Sequence, residues 1–372
     1  MKNTNYPETF ILTDKSTKIP GEIKHYGPAY VGFANEFAHF LDYTGQGYGF
    51  IYDGDWCKDR SYTIADVLSG HAMEPAPLLF QENVDYLWNV SGFQSCKTYF
   101  ADPSKDNYMS EPDMRETLRH ALYTLKQPVI IPQENQWWGS IVIGYKNGGS
   151  VLVVYYFLPH FMEMNNNAQP KTLEVTDWYN TKTSLFIAGQ REKMPPLSDM
   201  YRMGIKRIQT CLEKNIRGEK EHYYDEWEAF LLLSMEEMIA HVKRTHNVPG
   251  GEHGSFDAES GDEDVWKFIG GAHDSTWANM AERRFYIMNF FRQAREYFPE
   301  AKDDLQALDT HFLYANKIMG EEYGRILGDP VNIEIFKNPE VRSRMADCIR
   351  RFKKADAKGL EMVETLLRRF EI

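Results

Sequence analysis

Three apolar runs between Leu125 and Phe157 form the most regular pattern of hydrophobic positions in the sequence. The runs are Pro128–Pro132, Ser140–Tyr145 and Val151–Phe157. The turn residues Lys146-Asn147-Gly148-Gly149 separate the last two, and Asn-Gly between β-rich runs is a strong hairpin signal. The pattern therefore predicts three strands, with a loop at Gln133–Gly139 before the second of them.

The rest of the first half mixes helical and strand patterns. After Gly27-Pro28, apolar residues recur at three and four positions, and proline is favoured in a first helical turn. Glu111–Leu125 has the clearest helical spacing in this half. Shorter patterns predict helices at 62–68 and 82–90 and strands at 10–12, 50–52 and 183–188. The polar stretch after Phe157 predicts a surface loop.

The second half has an almost purely helical pattern. Helices are predicted at 199–214, 223–244, 277–298, 302–327 and 339–370, and the polar, acidic stretch Asn247–Asp264 predicts a loop. A chain of 372 residues usually divides into two domains, because single cores stop growing near about 250–300 residues. We therefore predict an α+β protein with a mixed α/β domain at residues 1–192 and an antiparallel helical bundle at residues 193–372.

The net charge and the cysteine content limit the kinds of binding partner and the cell compartment that we expect for this protein. A net charge of −12 argues against nucleic acids and anionic membranes, which bind Lys/Arg patches. No apolar run reaches the about 18 residues of a membrane span, and the N-terminal residues show no apolar signal core. The scattered cysteines Cys57, Cys96, Cys211 and Cys348 predict reduced thiols in the cytoplasm. The sequence is compatible with a homo-oligomer as well as with a monomer.

Metal and cofactor motifs are missing. The spacing of His241, His246 and His253 matches no zinc signature, and the loop around them lacks the alternating ligands of an EF-hand. The glycine-rich stretch Gly45–Phe50 lacks the Lys-Ser/Thr that follows a phosphate-binding loop. His273 is predicted to be a helix cap or a surface residue. We expect no metal and no cofactor.

His25, Cys57 and Glu134 are the candidates for catalysis. A Cys–His pair needs a thiol at a helix N-terminus, where its pKa is lowered, and an imidazole facing it from a strand. Cys57 is predicted in a loop, whereas His25 precedes the first helix and histidine titrates near neutrality. The pair Trp137-Trp138 could desolvate Glu134 and raise its pKa. Each residue also has a purely structural alternative. His25 would then only form a hydrogen bond at the helix start, Glu134 would be a surface carboxylate, and Cys57 would be an ordinary thiol.

Three segments carry a resemblance to a known family. They are a first helix ending FAHFLDYTG, the block PVIIPQENQWWGSIVIGYKNGGSVLVVYYF, and two helices holding Tyr224–Trp227 and Trp277–Arg284. Together they resemble the butirosin-biosynthesis protein H family over nearly the whole chain. That resemblance implies a papain-like domain followed by a helical domain, with a Cys–His pair for acyl transfer or hydrolysis in active members. Here Tyr or Ala stands near the helix start where Cys would be, and Trp138-Gly139 stands where His would be.

The expected pocket lies between the start of the first helix and the tryptophan loop. The residues predicted to bind a ligand there are Tyr26, Tyr30, Trp56, Trp137, Trp138, Trp277 and Arg284. Our first hypothesis is a degenerate, non-catalytic papain-like domain that binds a small, partly apolar ligand. The alternatives are an acyltransferase or an amide or ester hydrolase that uses Cys57 or a His25–Glu134 site, and a scaffold that presents the bundle as its interaction face.

Overall fold

The computed structural model describes residues 5–13, 32–53, 56–70, 81–94, 96–131, 141–156, 171–181, 183–218, 222–245, 261–328 and 333–370. The chain divides into two compact units, Met1–Ser69 with Leu79–Gly204, and Gly70–Leu78 with Ile205–Ile372. The prediction had placed a boundary after residue 192, whereas the division follows Gly204, inside a helix. Within the described ranges, no helix is long and apolar enough to cross a membrane.

The first unit combines antiparallel strands with short helices. Its strands are β1 Phe10–Ile11, β2 Phe50–Asp53, β3 Trp56–Asp59, β4 Cys96–Phe100, β5 Ile141–Lys146, β6 Val151–Tyr156, β7 Lys171–Val175 and β8 Ser184–Ala188. Its helices are α1 Gly32–Tyr43, α2 Arg60–Leu68, α3 Gln81–Val90, α4 Glu111–Arg119 and the start of α5 Leu197–Arg217. The strand order β1-β5-β6-β7 makes a four-stranded sheet, and β2-β3 and β4-β8 form separate pairs. The α+β class is therefore confirmed.

The second and third apolar runs form β5 and β6, as predicted. Residues 141–145 of β5 and 152–154 of β6 are buried, which explains why both strands are apolar on each face. A 3-10 turn at Asn147–Gly149 joins them, with positive φ at Asn147, Gly148 and Gly149, a conformation that glycine adopts without strain. The described residues of the first run form isolated bridges instead of a strand, Val129 with Val142 and Ile130 with Phe186.

Three strands went unpredicted: β3, β4 and β7. Each has only four or five residues and mixes polar with apolar positions. β4 pairs with β8, and β7 pairs with β6. Because a strand of four or five residues spans only two alternations, its sequence shows little of the periodicity that identifies a strand. Pairing with other strands, and not the residue pattern of each segment, therefore makes these segments strands.

The described part of the second unit is helical throughout. It contains the remainder of α5 with α6 His222–Leu232, α7 Met235–Thr245, α8 Asp262–Ala294, α9 Lys302–Lys317, α10 Gly324–Leu327 and α11 Pro339–Phe370. A π-helical turn, Ile318–Tyr323, joins α9 to α10. The predicted extents 302–327 and 339–370 are confirmed. Buried apolar side chains from α6 to α11 form one core cluster, including Leu231, Met280 and Phe352.

The helix predicted at 223–244 is two helices, α6 and α7. Ser234 and Glu237 form a capping box between them: the Glu237 amide donates to Ser234 Oγ at 3.2 Å, and the Ser234 amide donates to Glu237 Oε2 at 2.9 Å. The Ser-x-x-Glu signal is present in the sequence, but the apolar spacing continues across the break and conceals it. In α8, the acidic residues Asp262–Asp264 are the first turn and not the end of a loop, in keeping with the helix dipole.

Arg342 of α11 closes the carboxyl end of α6. Its Nε and Nη2 donate to the carbonyl oxygens of Leu231 and Leu233 at 3.0 Å each, and Nη1 donates to Phe336 O at 2.5 Å. The side chain is buried, and this burial lowers the pKa of its guanidinium. The carbonyls at a helix end have no partner within the helix, so this arginine supplies one.

Replacing Arg342 with methionine should lower the free energy of unfolding by about 2–3 kcal/mol, because three carbonyls lose their donor. Arg342→Lys should recover only part of the loss, since one ammonium group cannot reach three acceptors as a planar fork does. Urea unfolding measures both effects. Arg344→Met, at an exposed position of the same helix, is the control, and equal losses for Arg342→Met and Arg344→Met would contradict the capping role.

Candidate functional site

Most of the predicted aromatic pocket lies outside the described residues. This holds for His25, Tyr26, Tyr30, Glu134, Trp137 and Trp138. Their roles stay predictions. The described residues of the pocket are Trp56 and Cys57, whose backbone alone is described, and Trp277 and Arg284 of the helical unit.

Cys57 lies on β3, so its predicted position in a loop is wrong. β2 and β3 pair as an antiparallel hairpin in which Tyr52 faces Cys57 and Asp53 faces Trp56. The next helix, α2, begins only at Arg60. Cys57 therefore lies within an extended segment, three residues ahead of a helix start. A thiol gains the full effect of the helix dipole only in the first turn.

Trp277 lies in the middle of α8 and packs on the backbone of α10. A Cβ added to Gly324 would lie 3.3 Å from the indole ring, a tight contact that would require the ring to shift by a few tenths of an ångström. The ring is partly buried against the core of the helical unit. Among the described residues, the indole Nε1 has no hydrogen-bond acceptor.

Arg284 is fully engaged inside the helical unit. Its Nε donates to Asp356 Oδ1 at 2.8 Å, and Nη2 donates to Asp356 Oδ2 at 2.5 Å. Tyr224 Oη donates to the same carboxylate at 2.7 Å, and the ring of Phe352 lies 4.9 Å from the guanidinium carbon. Burial would lower the pKa of Arg284, but the Asp356 carboxylate outweighs it and raises that pKa. Arg284 thus makes a structural ion pair, and its ligand-binding role stays a prediction.

A buried imidazole, His273, lies at the centre of an aromatic cluster in the helical unit. We call Trp227, Phe230, His273, Tyr323 and Phe336 the His273 cluster. Trp227 Nε1 donates to His273 Nδ1 at 3.1 Å, and Tyr323 Oη lies 2.6 Å from the same nitrogen. The rings of Phe336 and Phe230 lie 4.9 Å and 6.1 Å from the imidazole.

The protonation state of His273 follows from these contacts. An indole N–H can only donate, so Nδ1 is an acceptor and the proton of the neutral ring is on Nε2. Burial lowers the pKa of His273 to about 3, and burial also raises the pKa of Tyr323 well above its usual range. At neutral pH the pair is uncharged, and the imidazole is too weak a base to abstract a proton from a substrate.

His273 was predicted to be a cap or a surface residue, and that prediction is wrong. The error arose because this helix was predicted to start at Trp277. Helix α8 starts at Asp262, so His273 lies in its interior. The π-helical turn Ile318–Tyr323 also went unpredicted, although such turns often occur at functional sites. It brings Tyr323 to His273 and precedes Gly324, which contacts Trp277.

Two of the cysteine thiols whose side chains are described, those of Cys96 and Cys348, are unsuited to nucleophilic attack. Burial, the largest cause, and the Asp85 carboxylate raise the pKa of Cys96 far above its usual value. Burial also raises the pKa of Cys348. A nucleophilic thiol requires the opposite shift. Both sulfurs are therefore protonated at neutral pH.

No metal-binding group is present in the described ranges, where no three His, Cys, Asp or Glu side chains are placed to share an ion. Comparison with known proteins adds no relative: no family model matches the chain, and no curated protein or solved structure is detectably similar. The function is therefore argued from this chain's own residues.

Proposed function

We propose that the protein binds a small, partly apolar ligand non-covalently, in an aromatic pocket of a papain-like first unit that lacks a working Cys–His pair. The pocket residues are Tyr26, Tyr30, Trp56, Trp137 and Trp138. The proposal rests on the sequence around Trp138-Gly139, where the family resemblance would place an imidazole, and where two large aromatic rings could surround an apolar group.

One observation carries the choice of binding over catalysis. The described thiols of Cys96 and Cys348 have raised pKa values, and the buried His273 accepts hydrogen bonds from Trp227 and Tyr323 instead of activating a nucleophile. These side chains support packing and not acyl transfer. Cys57, His25 and Glu134 are the residues through which the alternative, an acyltransferase or hydrolase, would have to act.

The binding proposal is tested with anilinonaphthalene sulfonate, a small aromatic probe whose fluorescence rises in apolar pockets. We expect saturable binding to the native protein and at least tenfold weaker binding to a Trp137→Ala/Trp138→Ala variant, since each buried aromatic side chain contributes about 1.5–3 kcal/mol. Tyr314→Ala, which removes a half-exposed aromatic ring of the helical unit, is the control. Equal binding by both variants would refute the pocket.

A thiol-labelling experiment separates the proposal from the hydrolase alternative. We expect iodoacetamide to modify Cys57 no faster than it modifies free cysteine at the same pH, because reactivity follows the thiolate fraction. Mass spectrometry of peptides reports the rate at Cys57, with the partly buried Cys96, whose pKa is raised, as an internal reference. Labelling of Cys57 that is at least tenfold faster than that of free cysteine would favour the hydrolase.

A further inference from the structure

One side of α9 is a stripe of exposed residues. They are Asp303, Ala307, Thr310, Tyr314 and Lys317, and we call them the α9 face. They follow one another at four, three, four and three residues, which places them on a single face of a helix. All five are exposed, and the ring of Tyr314 is 50% exposed. The α9 face is therefore the side of this helix that is available to another molecule.

A shallow groove runs along the α9 face. Its volume is about 660 Å³, and it is lined by the first four residues of the face, by Gln306 and His311 of the same helix, and by Met362 of α11. The short side chains of Ala307 and Thr310 lie in the middle of the face and leave this depression. The groove therefore has room for a large side chain that belongs to another molecule.

The neutral polar groups of the groove already have partners within the chain. Thr310 Oγ1 donates to Gln306 O at 3.0 Å, and Gln306 Oε1 accepts from the guanidinium of Arg295. His311 Nε2 donates to Ala355 O at 2.7 Å, since a carbonyl oxygen can only accept. What the α9 face offers to a partner is therefore apolar surface with a charge at each end.

The two end charges, Asp303 and Lys317, have opposite signs. Within the described ranges neither of them forms an ion pair, whereas the neighbouring Asp304 is paired with Arg369 of α11. The two positions are about 21 Å apart along the helix axis at 1.5 Å per residue, so they cannot pair with each other in one chain. A face with an acid at one end and a base at the other is complementary to a reversed copy of itself.

We propose that the α9 face is the contact surface of a homodimer in which two copies of α9 pack antiparallel about a two-fold axis near Thr310. Asp303 and Lys317 lie equally far from Thr310 on its two sides, so each Asp303 faces Lys317 of the partner subunit. Tyr314 comes beside the small Ala307 of the partner subunit, at the groove. A parallel arrangement would instead bring like charges together.

The contact is small and belongs to the second unit. One helix from each subunit buries less surface than a standard protein interface does, so we expect a weak, reversible dimer. The ligand pocket proposed above lies in the first unit. The dimer and the pocket can therefore each fail without the other.

Sedimentation equilibrium of the full chain tests the dimer. We expect the average mass to rise towards twice that of one chain between about 1 and 300 μM, and to rise less at high salt, which screens the two ion pairs. Asp303→Lys and Lys317→Asp each place like charges opposite one another and should weaken dimerisation about tenfold or more. Arg344→Glu, at an exposed position of α11, is the control and should leave it unchanged. A native chain that stays monomeric over this range would overturn the proposal.

Exchanging the two charges separates pairing between subunits from the stability of α9 itself. Both charges also suit the helix dipole, so a role confined to one chain predicts no recovery in the double variant Asp303→Lys/Lys317→Asp. We expect the double variant to dimerise within about threefold of the native protein, and equal amounts of Asp303→Lys and Lys317→Asp to form a heterodimer. A mixture that forms no heterodimer, or single variants that dimerise as well as the native protein, would overturn the proposal.

Discussion

Replacing Asp356 with alanine is expected to lower the free energy of unfolding by about 3–5 kcal/mol, more than any other single substitution considered for this protein. Arg284 and Asp356 have exposed fractions of 1% and 0% for their side chains. The substitution leaves a guanidinium charge buried without its carboxylate, and removing one partner of a buried ion pair costs this much. Tyr224 Oη would lose its acceptor in the same step. Urea unfolding followed by circular dichroism measures the change.

The matched control for Asp356→Ala is Asp347→Ala on the same helix. Asp347 is half-exposed and pairs with Arg350 and Arg351 at the surface, so its loss should cost less than about 1 kcal/mol. A double variant, Arg284→Met with Asp356→Leu, should recover most of the lost stability, because apolar side chains often replace a buried ion pair without loss. If Asp356→Ala cost no more than Asp347→Ala, the pair would have no such role.

Stability should fall as the pH decreases from about 6.5 towards 3, and His273 should account for a large part of the fall. In the unfolded chain a histidine binds its proton near pH 6.5, whereas burial lowers the pKa of His273 to about 3 in the folded state. Between these values the unfolded state holds one more proton, so acid favours unfolding. The slope is about 1.4 kcal/mol per pH unit and the total about 4–5 kcal/mol. Above pH 6.5 the ring is neutral in both states and contributes no pH dependence.

His273→Asn isolates this contribution, because an amide oxygen can still accept from Tyr323 and Trp227 but does not titrate. We expect the variant to be less stable than the native protein at pH 7, with the gap closing as the pH falls to 4. His120→Asn, at an exposed position of the first unit, should keep the native pH dependence. Parallel stability curves for native protein and His273→Asn between pH 7 and 4 would contradict a buried neutral imidazole.

Sequence patterns predicted several of the long elements well and the contacts between them poorly. The helices at 302–327 and 339–370 and the strands that became β5 and β6 were confirmed, because many buried side chains repeat at one period along each. The capping box at Ser234 and Glu237 was readable but was outweighed by an apolar face that runs across it.

In the candidate site, too, local patterns identified individual residues but did not predict their contacts. Trp277 and Arg284 were singled out for a pocket, yet their described contacts are with Gly324 and Asp356. Arg284 and Asp356 are 72 residues apart in sequence, and no local pattern relates two charges at that separation. His273 was misassigned because the start of α8 was misplaced, and burial rather than residue type determines the pKa of an imidazole.

By itself, the sequence determined the class of the fold, the position of most helices and the absence of a recognisable catalytic motif, because periodicity and residue type are local properties. Only the tertiary structure decided which polar residues are buried, and with which partners: Arg284 pairs with Asp356, and the neutral His273 lies between Trp227 and Tyr323. These contacts depend on which face of a helix packs against which other element. The free-energy cost of burying a polar atom is set by that packing and not by the adjacent residues in the sequence.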